Sequence, residues 1–102
     1  YKYETGATSY SKYSRMNDAI GLVMQNDTSD NRKAMTEEIK KLVSSGVEKS
    51  KIGSNLTSKY KQQYLELKKQ GNAASMKNIL ITCYMAAGYT REEATKRIDN
   101  WK

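Results

Sequence analysis

Residues 73–93 read Ala73-Ala74-Ser75-Met76-Lys77-Asn78-Ile79-Leu80-Ile81-Thr82-Cys83-Tyr84-Met85-Ala86-Ala87-Gly88-Tyr89-Thr90-Arg91-Glu92-Glu93, and this stretch decides the fold. Met76, Ile79, Leu80, Cys83, Tyr84 and Ala87 recur at spacings of three and four, the period of one helix face. No other part of the chain is as apolar, so the spacing predicts a helix over 73–87 at the centre of a bundle. Gly88 is its stop. Thr90 and Glu93 then stand three residues apart, the spacing of a capping box, in which each side chain satisfies the other residue's backbone N–H. They open a short last helix with Ala94, Ile98 and Trp101 on one face. Tyr89, just before the cap, is placed to staple onto Ala94.

The same period extends towards the N-terminus. Val47, Ile52, Leu56, Tyr60, Tyr64 and Leu67 predict a helix from about Lys49 to Gln70, closed by Gly71. Gly53, with the cap-like pairs Ser54-Asn55 and Thr57-Ser58 after it, offers a point at which this helix divides in two. Met35, Ile39, Leu42 and Val43 predict a helix over 31–45, stopped by Gly46, with Lys40 and Lys41 in the final turns where positive charge suits the helix dipole. Tyr13, Met16, Ile20, Val23 and Met24 predict a helix capped by Ser9 and running to about Asn26. Gly21 weakens it by about 1 kcal/mol relative to Ala. Residues 1–8 have no helical period and read as a Tyr-rich extended arm. The expected fold is all-α: a compact bundle of about five short helices with an extended N-terminal arm, residues 9–102 forming a single helical domain. No strand pattern or internal repeat is present.

The 102 residues contain no His, no Pro and one Cys. A chain of this length builds one domain. Without His it lacks the commonest acid–base catalyst and metal ligand, and a single Cys forms no intrachain disulfide. Cys83 falls on the most apolar helix, where an inert buried thiol is expected. Glu37/Glu38 and Glu92/Glu93 are adjacent pairs whose side chains diverge by about 100° on a helix, so they do not converge as an acid–base couple. No glycine-rich phosphate loop is found. These features point away from catalysis, from a metal site and from any cofactor. The longest apolar concentration is shorter than the ~20 residues of a membrane span. The sequence begins at Tyr1, without an initiator Met, so a processed product, an excised domain or the ordered part of something longer is expected.

The charge is unevenly placed. Residues 40–77 hold nine lysines against Glu48 and Glu66, which makes +7, and the rest of the chain balances at nine Lys/Arg against nine Asp/Glu. Lys40, Lys41, Lys49, Lys51, Lys59, Lys61, Lys68 and Lys69 are candidate contacts to a polyanion such as nucleic acid, since lysine neutralises phosphates as a point charge. With no Arg in this window, sequence-specific reading of guanine is not expected. The same lysines also suit an ordinary solvated helix surface; a binding role requires that they share one face. Tyr60 and Tyr64 lie on the apolar line and are expected in the core rather than stacked on bases. Tyr1, Tyr3, Tyr10 and Trp101 are candidate protein contacts, with core closure the simpler role for Trp101.

Residues 47–101 carry a further signal. Val47-Glu48-Lys49-Ser50 opens a helix that continues through Leu56-Thr57-Ser58-Lys59-Tyr60-Lys61-Gln62-Gln63-Tyr64. After Gly71 an apolar helix ends in Ala87-Gly88-Tyr89, and Ile98-Asp99-Asn100-Trp101 follows. This order resembles a helical module of large virion-associated (polyvalent) proteins of tailed bacteriophages and prophages. Where that family often has Pro after Lys, this chain has Gln62, so no kink is expected there. The resemblance implies a non-enzymatic structural or interaction module, with virion proteins or other domains of a parent chain as partners, in the virion or the host cytoplasm. It carries no active-site residues. Non-specific DNA binding through the lysines, and docking on a host protein as a small regulator, are the two rival expectations.

Overall fold

A computed structural model describes the backbone of residues 4–102 and the side chains of residues 12–102. Among the described residues five helices follow one another: α1 (Glu4–Gln25), α2 (Ser29–Ser44), α3 (Lys49–Lys69), α4 (Ala74–Ala87) and α5 (Arg91–Asp99). Among the described residues there is no strand. The all-α bundle expected from the apolar spacing is therefore present.

Three of the four connections are built alike. Gly46, Gly71 and Gly88 end α2, α3 and α4 with φ of 100°, 75° and 122°, a region that side-chain-bearing residues enter only at a steric cost. The residue after each glycine donates its N–H to a carbonyl five residues back: Val47 to Leu42, Asn72 to Leu67 and Tyr89 to Tyr84, at 3.0, 2.9 and 3.1 Å. This closure satisfies carbonyls that a helix end leaves open. The capping box before α5 is complete: Glu93 N–H donates to Thr90 Oγ1 at 3.1 Å, and Thr90 N–H donates to Glu93 Oε1 at 2.9 Å.

Helix α4 packs against each of the other four helices. Met76, Ile79, Leu80, Ile81, Cys83, Tyr84 and Ala87 are all buried along its 14 residues. The other helices present Met16, Ile20 and Val23 (α1), Met35 and Ile39 (α2), Ile52, Leu56, Tyr60 and Tyr64 (α3), and Ala94 and Ile98 (α5) to the same core. Burial of such side chains contributes roughly 1.5–3 kcal/mol each before the cost of ordering the chain is set against it. Tyr60 and Tyr64 are 6% and 3% exposed, so their rings are core and unavailable for stacking on bases.

The structure departs from the sequence reading in four places. Helix α1 begins at Glu4 rather than Ser9, so residues 4–8 of the expected extended arm are helical; a Pro-free stretch with an acidic residue in the first turn is compatible with a helix N-terminus. Residues 1–3 lie outside the described residues. Helix α2 begins at Ser29, because Thr28 is its cap and accepts from Asn31 N–H at 3.1 Å. Helix α3 runs through Gly53 without dividing; the glycine is buried beneath Tyr84 and Tyr89, and those rings hold the helix in place. Val43 is 40% exposed rather than core, because the inward line of α2 leans from Met35 and Ile39 towards Leu42.

Candidate functional site

The eight candidate lysines do not form one patch. Lys40 and Lys41 sit near the end of α2, beside a shallow groove that also includes Glu37, and Lys41 pairs with Glu38 at 3.3 Å. Lys49, in the first turn of α3, stands with its Nζ 4.9 Å from the centroid of the Tyr89 ring. Lys77, the ninth lysine of the basic window, is held by Asp99 at 2.6 Å, an ion pair that ties α4 to α5 and raises the lysine pKa.

The remaining five belong to α3. At about 100° per residue, Lys51 and Lys69 point away from the buried line Ile52–Leu56–Tyr60–Tyr64. Lys61 and Lys68 lie on one flank and Lys59 on the other. From Lys51 to Lys69 the helix rises about 27 Å. Lys61, Lys69 and Lys102 line one open groove of 660 Å³ with Glu66 its one acid. Among the described residues no carboxylate lies within ion-pair distance of Lys51, Lys59, Lys61, Lys68 or Lys69. Thus α3 has a buried face and, along its outer side, a line of unpaired positive charge.

Two more grooves adjoin this line. One, of 550 Å³, runs between α3 and α5 and includes Ser54, Thr57, Arg97 and Asn100. The other, of 450 Å³, lies towards Tyr13 and includes Lys51 and Asn55. Asn55 Oδ1 is buried there without a hydrogen-bond partner among the described residues. Small hydroxyl residues floor both, because Ser50, Ser54 and Ser58 follow one another at one turn along α3.

The candidate protein contacts divide. The side chains of Tyr1, Tyr3 and Tyr10 lie outside the described residues. Trp101 is 8% exposed and meets Tyr64 edge to face at 5.7 Å, closing the end of the core where α5 stops. Tyr89 is also buried and meets Tyr84 edge to face at 5.5 Å.

The one thiol is sealed. Cys83 is fully buried with its Sγ 3.5 Å from Met35 Sδ, and burial pushes its thiol up to about 12. Among the described residues no three of Cys, Asp or Glu gather where a metal ion would sit, and no helix is long and apolar enough to cross a membrane.

Sequence reading missed Arg32. Its guanidinium binds Asp27 through Nε (2.6 Å) and Nη2 (2.8 Å), Asn78 Oδ1 through Nη2 (2.9 Å) and Thr82 Oγ1 through Nη1 (3.1 Å). It fastens the α1–α2 turn to α4 and holds the Asp27 carboxyl below its ordinary range. The α4 partners lie 46 and 50 residues away, and no local spacing announces them.

No family model matches the sequence, and no curated protein or solved structure shows a significant match to it.

Proposed function

We propose that this chain is a non-enzymatic interaction module and that it holds a polyanion, with a nucleic-acid backbone as the ligand class. One observation carries the reading: the outer side of α3 presents Lys51, Lys61, Lys68 and Lys69, unpaired among the described residues, along about 27 Å of one helix. Lysines in such a line neutralise successive phosphates and release their counterions without reading sequence. The sealed thiol of Cys83 supports a role other than catalysis. The likeness of residues 47–101 to a helical module of tailed-phage virion proteins fits the same reading, because a virion interior is filled with DNA. Placement in the virion or the host cytoplasm follows from that likeness alone.

The test is fluorescence anisotropy of labelled single- and double-stranded DNA from low to physiological salt. Binding that weakens steeply with salt, and becomes weaker and less salt-dependent when Lys51, Lys61 and Lys69 become Gln, supports the reading. Absence of binding at low salt removes it and leaves those lysines as a solvated surface.

A further inference from the structure

The α3–α5 groove differs in chemistry from the lysine line beside it. Arg97 stands at its edge with the guanidinium carbon 4.5 Å from the centroid of the Tyr89 ring. A guanidinium held over a ring keeps N–H edges free for a second partner. No carboxylate lies within ion-pair distance of Arg97: the ion pairs among the described residues are Arg32–Asp27, Lys41–Glu38 and Lys77–Asp99. Glu93, one turn earlier on α5, gives its Oε1 to the Thr90 N–H; that bond, with the nearby charges of Lys49 and Arg97, holds its carboxyl below its ordinary value.

Facing Arg97 across the groove are hydroxyls. Ser50, Ser54 and Ser58 line its α3 wall, and no hydrogen bond holds any of them among the described residues. Thr57 Oγ1 donates to the Gly53 carbonyl at 2.9 Å, so its own donor is used. Asn100 adds an amide at the α5 end, and no acidic residue lines the groove. Its 550 Å³ is the size of a small-ligand cleft. One cation, several free hydroxyl donors and no carboxylate in the lining suit a group that is anionic and accepts hydrogen bonds on several oxygens.

We propose that this groove is a phosphate-binding site in which Arg97 supplies the charge and Ser54, Ser58 and Asn100 supply neutral donors. The fork of an arginine matches two phosphate oxygens at once, which a lysine ammonium does not. The inference deepens the polyanion reading and rests on it in one respect: the phosphate is taken to be part of a nucleic-acid backbone, whose free counterpart is inorganic phosphate. The α3 lysines would then attract the strand at any register, and Arg97 would fix one phosphate of it.

The experiment is an NMR titration of the isotopically labelled chain, first with inorganic phosphate and then with a short single-stranded DNA, against chloride at equal ionic strength. Phosphate is expected to shift the amides of Ser54, Ser58 and Asn100 saturably. Arg97→Gln should abolish those shifts and weaken DNA binding about tenfold, the scale of one charge-assisted contact. Arg97→Lys should restore only part, and circular dichroism of both variants checks that the bundle stays folded. Phosphate that leaves these amides unmoved, or moves them equally in Arg97→Gln, overturns the site. If DNA still binds through the lysines in that case, the polyanion reading stands without it. If phosphate titrates Arg97 but DNA does not bind, the site stands for free phosphate and the nucleic-acid reading falls.

Discussion

A methyl group on Gly53 would lie 3.2 Å from Cε1 of Tyr84. Helix α3 can approach α4 here because one residue on it has no side chain. Tyr84 has little room to retreat: it is 1% exposed and packs edge-on against Tyr89. Gly53→Ala gains about 1 kcal/mol of helix propensity but forces a crowded contact of the kind that costs about 1–3 kcal/mol. The expected net result is a loss of about 1 kcal/mol in urea unfolding. Gly21→Ala is the matched control, because a methyl there meets nothing within 4 Å; it should stabilise the chain by up to about 1 kcal/mol.

Thr90→Ala removes the acceptor for Glu93 N–H and breaks the capping box. The expected cost is about 1 kcal/mol by thermal or urea unfolding. Thr90→Ser should recover most of it.

Arg32→Met should destabilise the protein by releasing the α1–α2 turn from Asn78 and Thr82. Its pH dependence is diagnostic. The Asp27 carboxyl is held below its ordinary value, so its contribution is present above about pH 4 and is lost as pH falls through the depressed folded value. The stability gap between wild type and Arg32→Met should narrow in acid. A gap that stays constant from pH 7 downwards would mean that the arginine acts through Asn78, Thr82 and packing, without a contribution from Asp27.

Alkaline pH should unfold the chain progressively. Burial pushes both Cys83 and Tyr60 up to about 12, while the unfolded groups ionise near ~8.5 and ~10. A raised folded pKa keeps its stabilisation below the unfolded value and loses it as pH rises towards 12. Cys83→Ala should move the onset of the decline to about pH 10. In the native wild type the thiol should resist iodoacetamide at neutral pH and react only when the core opens.

Replacing Lys51, Lys61 and Lys69 by Gln should reduce the slope of log affinity for double-stranded DNA against log salt by about 3. The same substitutions at Lys40 and Lys41 should change it less, since that pair lies on α2 beside Glu37 and Glu38. Equal effects from both sets would mean diffuse attraction to net charge rather than a surface on α3.

Features encoded within one or two turns were legible in the sequence. The core lines of α1, α3 and α4, the glycine stops and the Thr90–Glu93 box each rest on residues three to six apart, where helix geometry fixes the outcome. The starts of α1 and α2 were misplaced because several polar residues near each could take the cap position. Val43 was misread because its exposure depends on how far α2 tilts against its neighbours. The groove beside Arg97 was not legible: its walls come from residues 50–58 and 97–100, and only the packing of α3 and α5 on α4 brings them together.

The position of α4 in the chain bears on folding during synthesis. Once Asn72 has left the ribosome, α1 and α2 can pair with each other, but α3 still has most of its apolar line uncovered. Until Ala87 leaves the ribosome, Ile52, Leu56, Tyr60 and Tyr64 lack most of the helix that will cover them. The hazard of this fold is therefore concentrated in that interval, when the stretch of greatest positive charge and an unsatisfied apolar face belong to the same exposed helix.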